Sequence, residues 1–285
     1  MELNMIELRR LIEQALIEDI GTGDITTNSI VPADAVTKGI IFTKEPGIIA
    51  GIPVAEAVFR FLSPGIKFSA KVKDGDSVQQ GTVIAEVEGN ARTILTGERL
   101  ALNFLQRMSG IATSTAALVE KVKLYAVRVV DTRKTTPGLR MLEKYAVRVG
   151  GGFNHRYGLY DAVLIKDNHI KVAGGITQAI LAARQNVPHT VKIEVEVESL
   201  AGVAEALEAR ADVIMLDNMD HCTMKEAVKM VDGRALVEAS GGINEDTIVN
   251  VAKTGVNLIS VGALTHSIKS LDISLDIGEI KQRDH

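Results

Sequence analysis

The sequence has no tryptophan, a single cysteine and no overall excess of basic residues, and these absences exclude several classes of protein. Aromatic residues are 4% of the 285 residues, which leaves few side chains to stack on nucleobases. The pI of about 5.9 and the net charge of −4 also argue against non-specific nucleic-acid binding, which requires a basic surface. We therefore expect no nucleic-acid partner.

Cysteine usage and hydropathy predict a cytoplasmic protein. The single Cys222 cannot form an intrachain disulfide, which fits a reducing compartment. It lies in a polar stretch, which favours an incidental thiol over a nucleophile. The first twenty residues carry acids throughout and predict no signal peptide. No window approaches the 18 uncharged apolar residues that a membrane span needs, so we expect no membrane partner.

The first third of the chain predicts a helix followed by a β layer. Apolar residues recur at helical spacing from Leu3 to Leu16, and the pattern stops at the turn residues 21–24. Between Lys38 and Glu88, short apolar runs alternate with Pro- and Gly-containing turns, which predicts strands. Residues 71–89 resemble half of a biotinyl or lipoyl carrier, but no modifiable lysine stands at a hairpin tip. We interpret this segment as structural.

A long helical pattern from Arg92 to Val122 separates two predicted domains. Ser109-Gly110 is expected to break or bend this helix and to mark the boundary. The predicted domains are an N-terminal α/β sandwich, 1–109, and a barrel, 110–269, with a tail, 270–285, that packs back on the first domain. From periodicity alone, Arg99 is a surface residue of the helix.

Strands and helices alternate in the rest of the chain, which predicts parallel βα units. Six strands favour an incomplete relative of the eight-stranded α/β barrel, and a doubly wound open sheet is the alternative. The predicted strands are 127–130, 162–165, 192–197, 213–216, 235–239 and 258–261, and the predicted helices are 139–149, 177–185, 199–209, 224–231 and 244–253.

The stretch 131–171 holds eight Lys and Arg against four Asp and Glu in a chain of negative net charge. Arg133 and Lys134 follow one predicted strand, and Lys166 follows the next. Between them lie the glycines 150–152 and then His155-Arg156. Cations at the ends of parallel strands predict a pocket for a small, multiply charged anion. The alternative is a helix with a solvated basic face and ordinary loop charges.

Acidic residues end the next two strands. Glu194, Glu196 and Glu198 alternate along one strand face, and Glu196 lies nearer the carboxyl end. Asp217 ends the neighbouring strand. Such paired carboxylates either hold Mg²⁺, directly or through water, or stabilise developing positive charge. They are alternatively ion-pair partners of Lys134 and Lys166, and both interpretations stay open.

Small residues end the last two strands. Ser240-Gly241-Gly242 and Gly262 let an anion approach the backbone, and a helix N-terminus after each turn would favour phosphate. An isolated histidine in a loop, such as His155, more often makes a structural hydrogen bond than it takes part in catalysis. Beside Arg156 it is a candidate for the anion pocket. Six histidines without metal-ligand spacing argue against a zinc enzyme.

Several long motifs resemble the quinolinate phosphoribosyltransferase family. They are EDIGTGDITT (18–27), ERLALNFLQRMSGIAT (98–113), DTRKTTPGLR (131–140), GGGFNHRYGLYDAVLIKDNH (150–169), EVEVES (194–199), IMLDN (214–218) and SGGI (240–243). The resemblance implies an N-terminal α/β sandwich, an incomplete α/β barrel and a homodimer. It also implies Mg²⁺-dependent conversion of quinolinate and phosphoribosyl pyrophosphate into nicotinate mononucleotide, pyrophosphate and CO₂.

The resemblance assigns roles to individual residues. It implies catalytic roles for Lys134, Lys166, Glu196 and Asp217, with Glu196 and Asp217 facing ribose and metal. It implies that Arg99 reaches the neighbouring subunit's site. The remaining substrate-binding positions that it implies are Thr132, Arg133, His155, Arg156, Ser240, Gly241, Gly242, Ser260, Val261 and Gly262.

The sequence also admits three alternative functions. The first is a related phosphoribosyltransferase that acts on another ring carboxylate. The second is a non-catalytic phosphate-binding module, with the carrier-like N-terminal half of the chain as its interaction surface. The third is a biotinyl or lipoyl carrier, which requires a modified lysine.

Overall fold

A computed structural model describes residues 2–278, which form two compact units. Within the described residues, the first unit comprises residues 2–114, Thr136–Gly150 and 268–278. The second comprises Thr115–Thr135 and Gly151–Ser267. The elements in chain order are α1 Met5–Ile20, α2 Ile25–Ile30, β1 Val36–Thr43, β2 Gly47–Ile48, α3 Ile52–Leu62, β3 Lys67–Ala70, β4 Ser77–Val78, β5 Val83–Asn90, α4 Ala91–Val122, β6 Arg128–Val130, α5 Arg140–Val149, β7 Val163–Ile165, α6 Asp167–Ala173, α7 Ile176–Asn186, β8 Ile193–Val197, α8 Leu200–Glu208, β9 Val213–Asp217, α9 His221–Val231, β10 Leu236–Ser240, α10 Ile248–Ala252, β11 Leu258–Ser260, α11 Ala263–His266 and β12 Ile273–Ile277.

The first unit is built on an antiparallel sheet in the order β12-β1-β5-β3, with a small β2-β4 pair. The predicted N-terminal helix is confirmed as α1. It begins at Asn4, whose side chain accepts hydrogen bonds from the backbone of Ile6 and Glu7. It ends at Gly21, and it buries Leu8, Ile12 and Leu16. The pattern of apolar residues therefore identified the buried face.

The prediction of a purely β segment between Lys38 and Glu88 was wrong, because α3 interrupts it. Pro53, interpreted as a turn residue, stands in the first turn of α3, where its missing N–H costs nothing. Both carboxylate oxygens of Asp74 accept hydrogen bonds from the backbone N–H groups of Gly51 and Ile52. This carboxylate at the helix start supplies the cap that no local side chain provides.

The predicted break at Ser109-Gly110 was also wrong, because α4 is one continuous helix of 32 residues. Ser109 lies fully buried, and its hydroxyl accepts the backbone N–H of Ala50 at 3.0 Å. A Cβ at Gly110 would lie 2.2 Å from the carbonyl oxygen of Lys269. The glycine therefore serves a close approach of two backbones and does not end the helix.

The end of the chain returns to the first sheet. Strand β12 pairs antiparallel with β1, and Gly39 lies opposite Ile277. The predicted tail, 270–285, thus contributes this strand to the first unit, and its residues 279–285 lie outside the described residues. The predicted boundary at 109/110 stays a prediction. Helix α5, expected among the barrel helices, groups with the first unit.

The second unit contains a six-stranded parallel sheet in the order β6-β11-β10-β9-β8-β7. From β7 to β11, each strand pairs with the next one in the chain, and β11 then pairs with β6. A doubly wound sheet would reverse its order at a switch point, so that alternative was wrong. The order is that of a barrel left open between β6 and β7, and this confirms the predicted fold class.

Two local differences affect the loops that follow these strands. Residues 167–173, for which no helix was predicted, form α6. Helix α10 begins at Ile248 and not at Asn244, because the Asn244 side chain accepts the backbone N–H groups of Asp246 and Thr247 in a turn. Asparagine thus competes with the helix that periodicity predicted.

Within residues 2–278, no helix combines the length and the apolar character required to cross a membrane.

We expect Gly110→Ala to lower the free energy of unfolding by about 1–3 kcal/mol, since the new methyl group would meet backbone atoms that cannot rotate away. Gly97→Ala, in the same helix, is the matched control, because its methyl group would meet only the side chains of Leu62 and Phe59. Denaturant unfolding measures both variants. Equal stability of Gly110→Ala and the wild type would contradict this account.

Candidate active site

A cavity of about 730 Å³ lies in the second unit, where the carboxyl ends of its parallel strands meet. The loops that follow the strands supply most of its lining, as the barrel architecture predicts. The lining residues are Thr132, Arg133, Lys134, His155, Arg156, Leu164, Lys166, Glu196, Met215, Asp217, Asn218, Glu238, Ser240, Gly241, Gly242, Ile243, Asn244, Ser260, Gly262, Ala263 and His266.

Two guanidinium groups stand together in this cavity. Within the described part of the chain, the buried Nε of Arg133 has no hydrogen-bond partner. The Nη1 of Arg156 donates to the carbonyl oxygen of Ala162 at 3.3 Å. Burial, together with repulsion by the charge of Arg133, lowers the pKa of Arg156 from its ordinary value. A buried donor without a partner, beside a second repelling cation, indicates a site for an anion with more than one charge.

Lys166 and Glu196 form an ion pair across neighbouring strand ends. The Nζ of Lys166 lies 2.5 Å from Oε2 of Glu196, whose side chain is 13% exposed. The backbone N–H of Lys166 donates to Nδ1 of His169, which holds the start of α6. The interpretation of Glu196 as a partner of a lysine therefore matches the geometry. Its second carboxylate oxygen lets it also serve as a ligand.

Asp217 is oriented by its neighbour in the chain. The side-chain nitrogen of Asn218 donates to Oδ2 of Asp217 at 2.8 Å. Asn218 has a φ of 52°, and its backbone N–H donates to the carbonyl oxygen of Ser240. Asparagine tolerates this left-handed conformation better than most residues. The end of β9 is thereby tied to the turn that follows β10.

The turn after β10 requires glycine at its first position. Gly241 has a φ of 102°, and a Cβ there would lie 2.2 Å from Oδ1 of Asn218. At Gly242, with a φ of 60°, a Cβ would meet nothing within 4 Å. A Cβ at Gly262 would approach the Cδ of Lys134 at 3.3 Å and the ring of His266 at 3.1 Å. A side chain at Gly241 or Gly262 would therefore fill the space beside the backbone N–H groups of these turns and beside Lys134.

His155, which lines the cavity, contacts two buried acids. Its Nε2 lies 3.0 Å from Oε2 of Glu194 and 3.6 Å from Oε1 of Glu238. Burial and the charge of Glu194 raise the pKa of Glu238 from 4.5 to about 7. Sequence reasoning ranked Glu194 below Glu196 and missed Glu238. The signal for Glu238 was an acid inside the apolar run of β10.

Two sets of side chains have the donor atoms for a metal ion. Glu196 and Asp217, at the ends of adjacent strands, offer hard carboxylate oxygens to the cavity. Mg²⁺ is typically held by one or two carboxylates together with substrate phosphates, so these residues fit that ion. The ligand atoms of His155, Glu194 and Glu238 lie within 4.8 Å of one another, but there the imidazole already contacts Glu194.

The structure brings most of the predicted site residues to this cavity. Val261 is 2% exposed and is not among the lining residues. Arg99 is exposed on α4, in the first unit. Asn218, which follows Asp217 at a predicted strand end, lines the cavity, as do Asn244 and His266. No pattern in the sequence distinguished Asn244 and His266 from other loop residues.

The second unit is an open α/β barrel, and its strand ends carry paired cations, two acids and glycine turns. These features are typical of a barrel enzyme for phosphate-containing and other multiply charged substrates. Two family models match the chain, the N-terminal domain of quinolinate phosphoribosyl transferase at residues 24–109 and its C-terminal domain at residues 111–276. The chain belongs to the quinolinate phosphoribosyltransferase family, which confirms the resemblance seen in its motifs.

Relatives and solved structures agree with this membership. The chain is 47% identical over 275 residues to a probable nicotinate-nucleotide pyrophosphorylase (carboxylating) of Bacillus subtilis, with 96% of this chain and 95% of the relative covered. It is 49% identical to a protein of the same description from Methanocaldococcus jannaschii, with 94% and 96% covered. The solved nicotinate-nucleotide pyrophosphorylase of Francisella tularensis superposes with a TM-score of 0.93 at 43% identity, covering 97% of this chain and 98% of that one.

We expect Gly241→Ala to weaken binding of inorganic pyrophosphate by about tenfold or more, because the methyl group would displace Asn218 and the turn beside it. Gly242→Ala is the matched comparison, since its methyl group meets no atom and only the strain of its backbone remains. Calorimetric titration measures both. Equal losses in the two variants would contradict the role of the Asn218 contact.

Proposed function

We infer that this protein is a decarboxylating quinolinate phosphoribosyltransferase. It transfers the phosphoribosyl group of phosphoribosyl pyrophosphate to quinolinate and yields nicotinate mononucleotide, pyrophosphate and CO₂ in NAD biosynthesis. Membership in the family supports this activity, and one observation carries it to the site. The buried Nε of Arg133, which has no hydrogen-bond partner among residues 2–278, belongs to a side chain that lines the cavity together with Arg156, Lys134 and Lys166.

The charges of the two substrates explain the composition of the cavity. Quinolinate carries two carboxylates and phosphoribosyl pyrophosphate carries several phosphate charges, so the substrates repel each other in water. Fixed cations offset this repulsion without reorganising during the reaction. Arg133 and Arg156 suit the two carboxylates, because a guanidinium pairs with a carboxylate through two parallel hydrogen bonds. Lys134 and the Gly241–Gly242 turn suit phosphate oxygens.

The reaction follows from this placement. The ring nitrogen of quinolinate forms a bond to C1′ of the ribose, and the bond between C1′ and the pyrophosphate oxygen breaks. Positive charge that develops on the sugar is stabilised by Glu196 and Asp217. The resulting pyridinium withdraws electrons, so the adjacent carboxylate leaves as CO₂ and its bonding pair stays on the ring carbon, which then takes a proton. The protein mainly orients and neutralises its substrates.

A divalent cation is part of the proposal. Glu196 and Asp217 are the residues that would hold Mg²⁺, directly or through water, together with substrate phosphate oxygens. When bound, Mg²⁺ supplies neutralisation of the pyrophosphate charge. The Lys166–Glu196 ion pair holds the Glu196 carboxylate in place for that ligand.

Assembly and location are further proposals that the sequence supports. We propose a homodimer in which the exposed Arg99 completes the neighbouring subunit's site. The family resemblance supports both the homodimer and this role of Arg99. The single, exposed Cys222 is consistent with a cytoplasmic protein. No observation favours a carrier. A phosphate-binding module would not need two adjacent guanidinium groups and an acid pair.

The activity is tested by supplying phosphoribosyl pyrophosphate and Mg²⁺ with either quinolinate or nicotinate. We expect CO₂ and nicotinate mononucleotide in equal amounts from quinolinate, and no turnover of nicotinate, which lacks the second carboxylate. Radiometric CO₂ capture and chromatography of the nucleotide measure this. Turnover of nicotinate without CO₂ would favour the related phosphoribosyltransferase. Tight phosphate-ester binding without any product would favour the binding module.

Arg133→Ala is expected to weaken quinolinate binding by about 2–3 kcal/mol, roughly 30- to 160-fold, since a charge-assisted contact in a buried site is lost. Arg128→Ala is the matched control. Arg128 begins β6, the strand that Arg133 follows, and it stacks on Phe153; neither residue lines the cavity. Its affinity should stay within about twofold of the wild type. Wild-type affinity in Arg133→Ala would remove Arg133 from the quinolinate site.

Mixing two inactive variants tests the dimer. Arg99→Ala and Lys134→Ala place their defects in different chains of a mixed dimer, so one complete site per dimer should form if Arg99 acts on its neighbour. We expect recovery of about one quarter of wild-type activity when randomly mixed dimers form, half of the dimers being mixed with one complete site each. Absence of recovery in demonstrated mixed dimers would place the function of Arg99 in its own chain.

A further inference from the structure

Of the two lysines that line the cavity, Lys134 is the one that stays available for a ligand. Among residues 2–278, its Nζ makes no ion pair and donates no hydrogen bond, whereas the Nζ of Lys166 pairs with Glu196. A lysine side chain loses rotamer freedom when it binds a ligand. A structure that already holds its main chain and its stem reduces that cost.

The main chain of Lys134 is held on both sides of its Cα. Its backbone N–H, which belongs to the preceding peptide group, donates to Oγ1 of Thr132 at 3.0 Å. Its carbonyl oxygen, which belongs to the following peptide group, accepts a hydrogen bond from Oγ1 of Thr265 at 2.8 Å. The first bond is local, and the second joins residues that are 131 positions apart in the chain. Thr265 therefore ties the loop after β6 to the segment after β11.

The surroundings of Thr265 define the direction of its hydroxyl proton. Its Oγ1 lies 2.8 Å from the carbonyl oxygen of Lys134 and 3.3 Å from that of Gly262. The Gly262 oxygen also accepts the backbone N–H groups of Thr265 and His266, at 3.1 and 3.2 Å. A hydroxyl has one proton, and the shorter distance assigns it to the Lys134 oxygen. Thr265 is fully buried, so this bond lies in a fixed part of the structure.

The stem of Lys134 is held by the same segment of the chain. Strand β11 pairs in parallel with β6, and the backbone N–H of Val261 donates to the carbonyl oxygen of Val130 at 3.0 Å. Beyond these strand ends, the Lys134 stem lies over Gly262. A Cβ at Gly262 would be 3.3 Å from the Cδ of Lys134 and 3.1 Å from the ring of His266. The stem thus occupies space that a side chain at Gly262 would take, and the Thr265 contact keeps the two segments aligned.

We propose that Thr265 is a positioning residue that holds Lys134 in the place from which its ammonium group binds a substrate phosphate. Thr265 is not among the residues that line the cavity, so it acts through Lys134 and not on the ligand. The proposal rests on the proposed function only in taking Lys134 as a group that binds substrate phosphate.

A double-mutant cycle on the Kd of inorganic pyrophosphate, measured by calorimetric titration, tests whether Thr265 acts through Lys134. We expect Lys134→Ala to weaken binding roughly 10- to 100-fold, since a charge-assisted contact is lost. Thr265→Val removes the hydroxyl at nearly constant shape and should weaken binding roughly three- to tenfold. The double variant should match Lys134→Ala within about twofold, because the group that Thr265 places is already gone. Losses that multiply, or unchanged affinity in Thr265→Val, would overturn the proposal.

Two further variants distinguish positioning from a general loss of structure. Thr265→Ser keeps the hydroxyl and should bind pyrophosphate within about twofold of the wild type. Thr254→Val is the matched control: Thr254 is 5% exposed, and its hydroxyl donates to the carbonyl oxygen of Val251 at 2.6 Å, outside the cavity lining. We expect this variant to lose stability and to keep its affinity. Equal losses of affinity in Thr254→Val and Thr265→Val would refute the positioning role.

Thermal unfolding checks that each variant is folded, and Thr265→Ala takes the place of Thr265→Val in the cycle if the latter does not fold. A crystal structure of the wild type is a second measurement that needs no ligand. A distance above about 3.5 Å between Oγ1 of Thr265 and the carbonyl oxygen of Lys134 would contradict the proposal. A protein that binds pyrophosphate without turning over quinolinate fails the proposed function and leaves the cycle valid. A wild type that binds no pyrophosphate overturns the role of Thr265, because Lys134 then holds no phosphate.

Discussion

The candidate site depends on holding Arg133 and Arg156 together although their charges repel. Burial and then the charge of Arg133 lower the pKa of Arg156 from its ordinary value. Such an arrangement persists only when the surrounding structure determines the position of each group. Here the ends of β6 and β7, the Asp131 carboxylate and the His155 ring supply those positions. An anion with two charges is the ligand that relieves the repulsion.

The open barrel provides the rigidity for this arrangement. Each strand from β7 to β10 pairs with its successor, so side chains of alternate residues point inward at the same level. Met215 lies in register with both Glu196 and Glu238, which places these two acids on either side of one apolar residue. Both acids line the cavity. Glu196 pairs with Lys166, and Glu238 is the more buried of the two, at 1% exposure.

Sequence patterns predicted the parts of the site that depend on strand ends. Arg133, Lys166 and Asp217 each follow an apolar run, and parallel strands bring such positions to one edge. Sequence patterns predicted the wrong role where the residue type fits two different structural roles. Pro53 fits a turn or the first turn of a helix, and Gly110 fits a helix break or a close backbone contact. Contacts with residues distant in the chain decide between these roles.

The sequence alone therefore determined the family, the parallel βα architecture and the list of charged residues at the strand ends, because these follow from local periodicity and from motifs. Only the tertiary structure decided which side chains pair and which stay available. The contact of His155 with Glu194, the ion pair of Lys166 with Glu196 and the lack of a partner for the Arg133 Nε among residues 2–278 depend on how residues far apart in the chain pack together. That packing involves the whole barrel, and no local pattern encodes it.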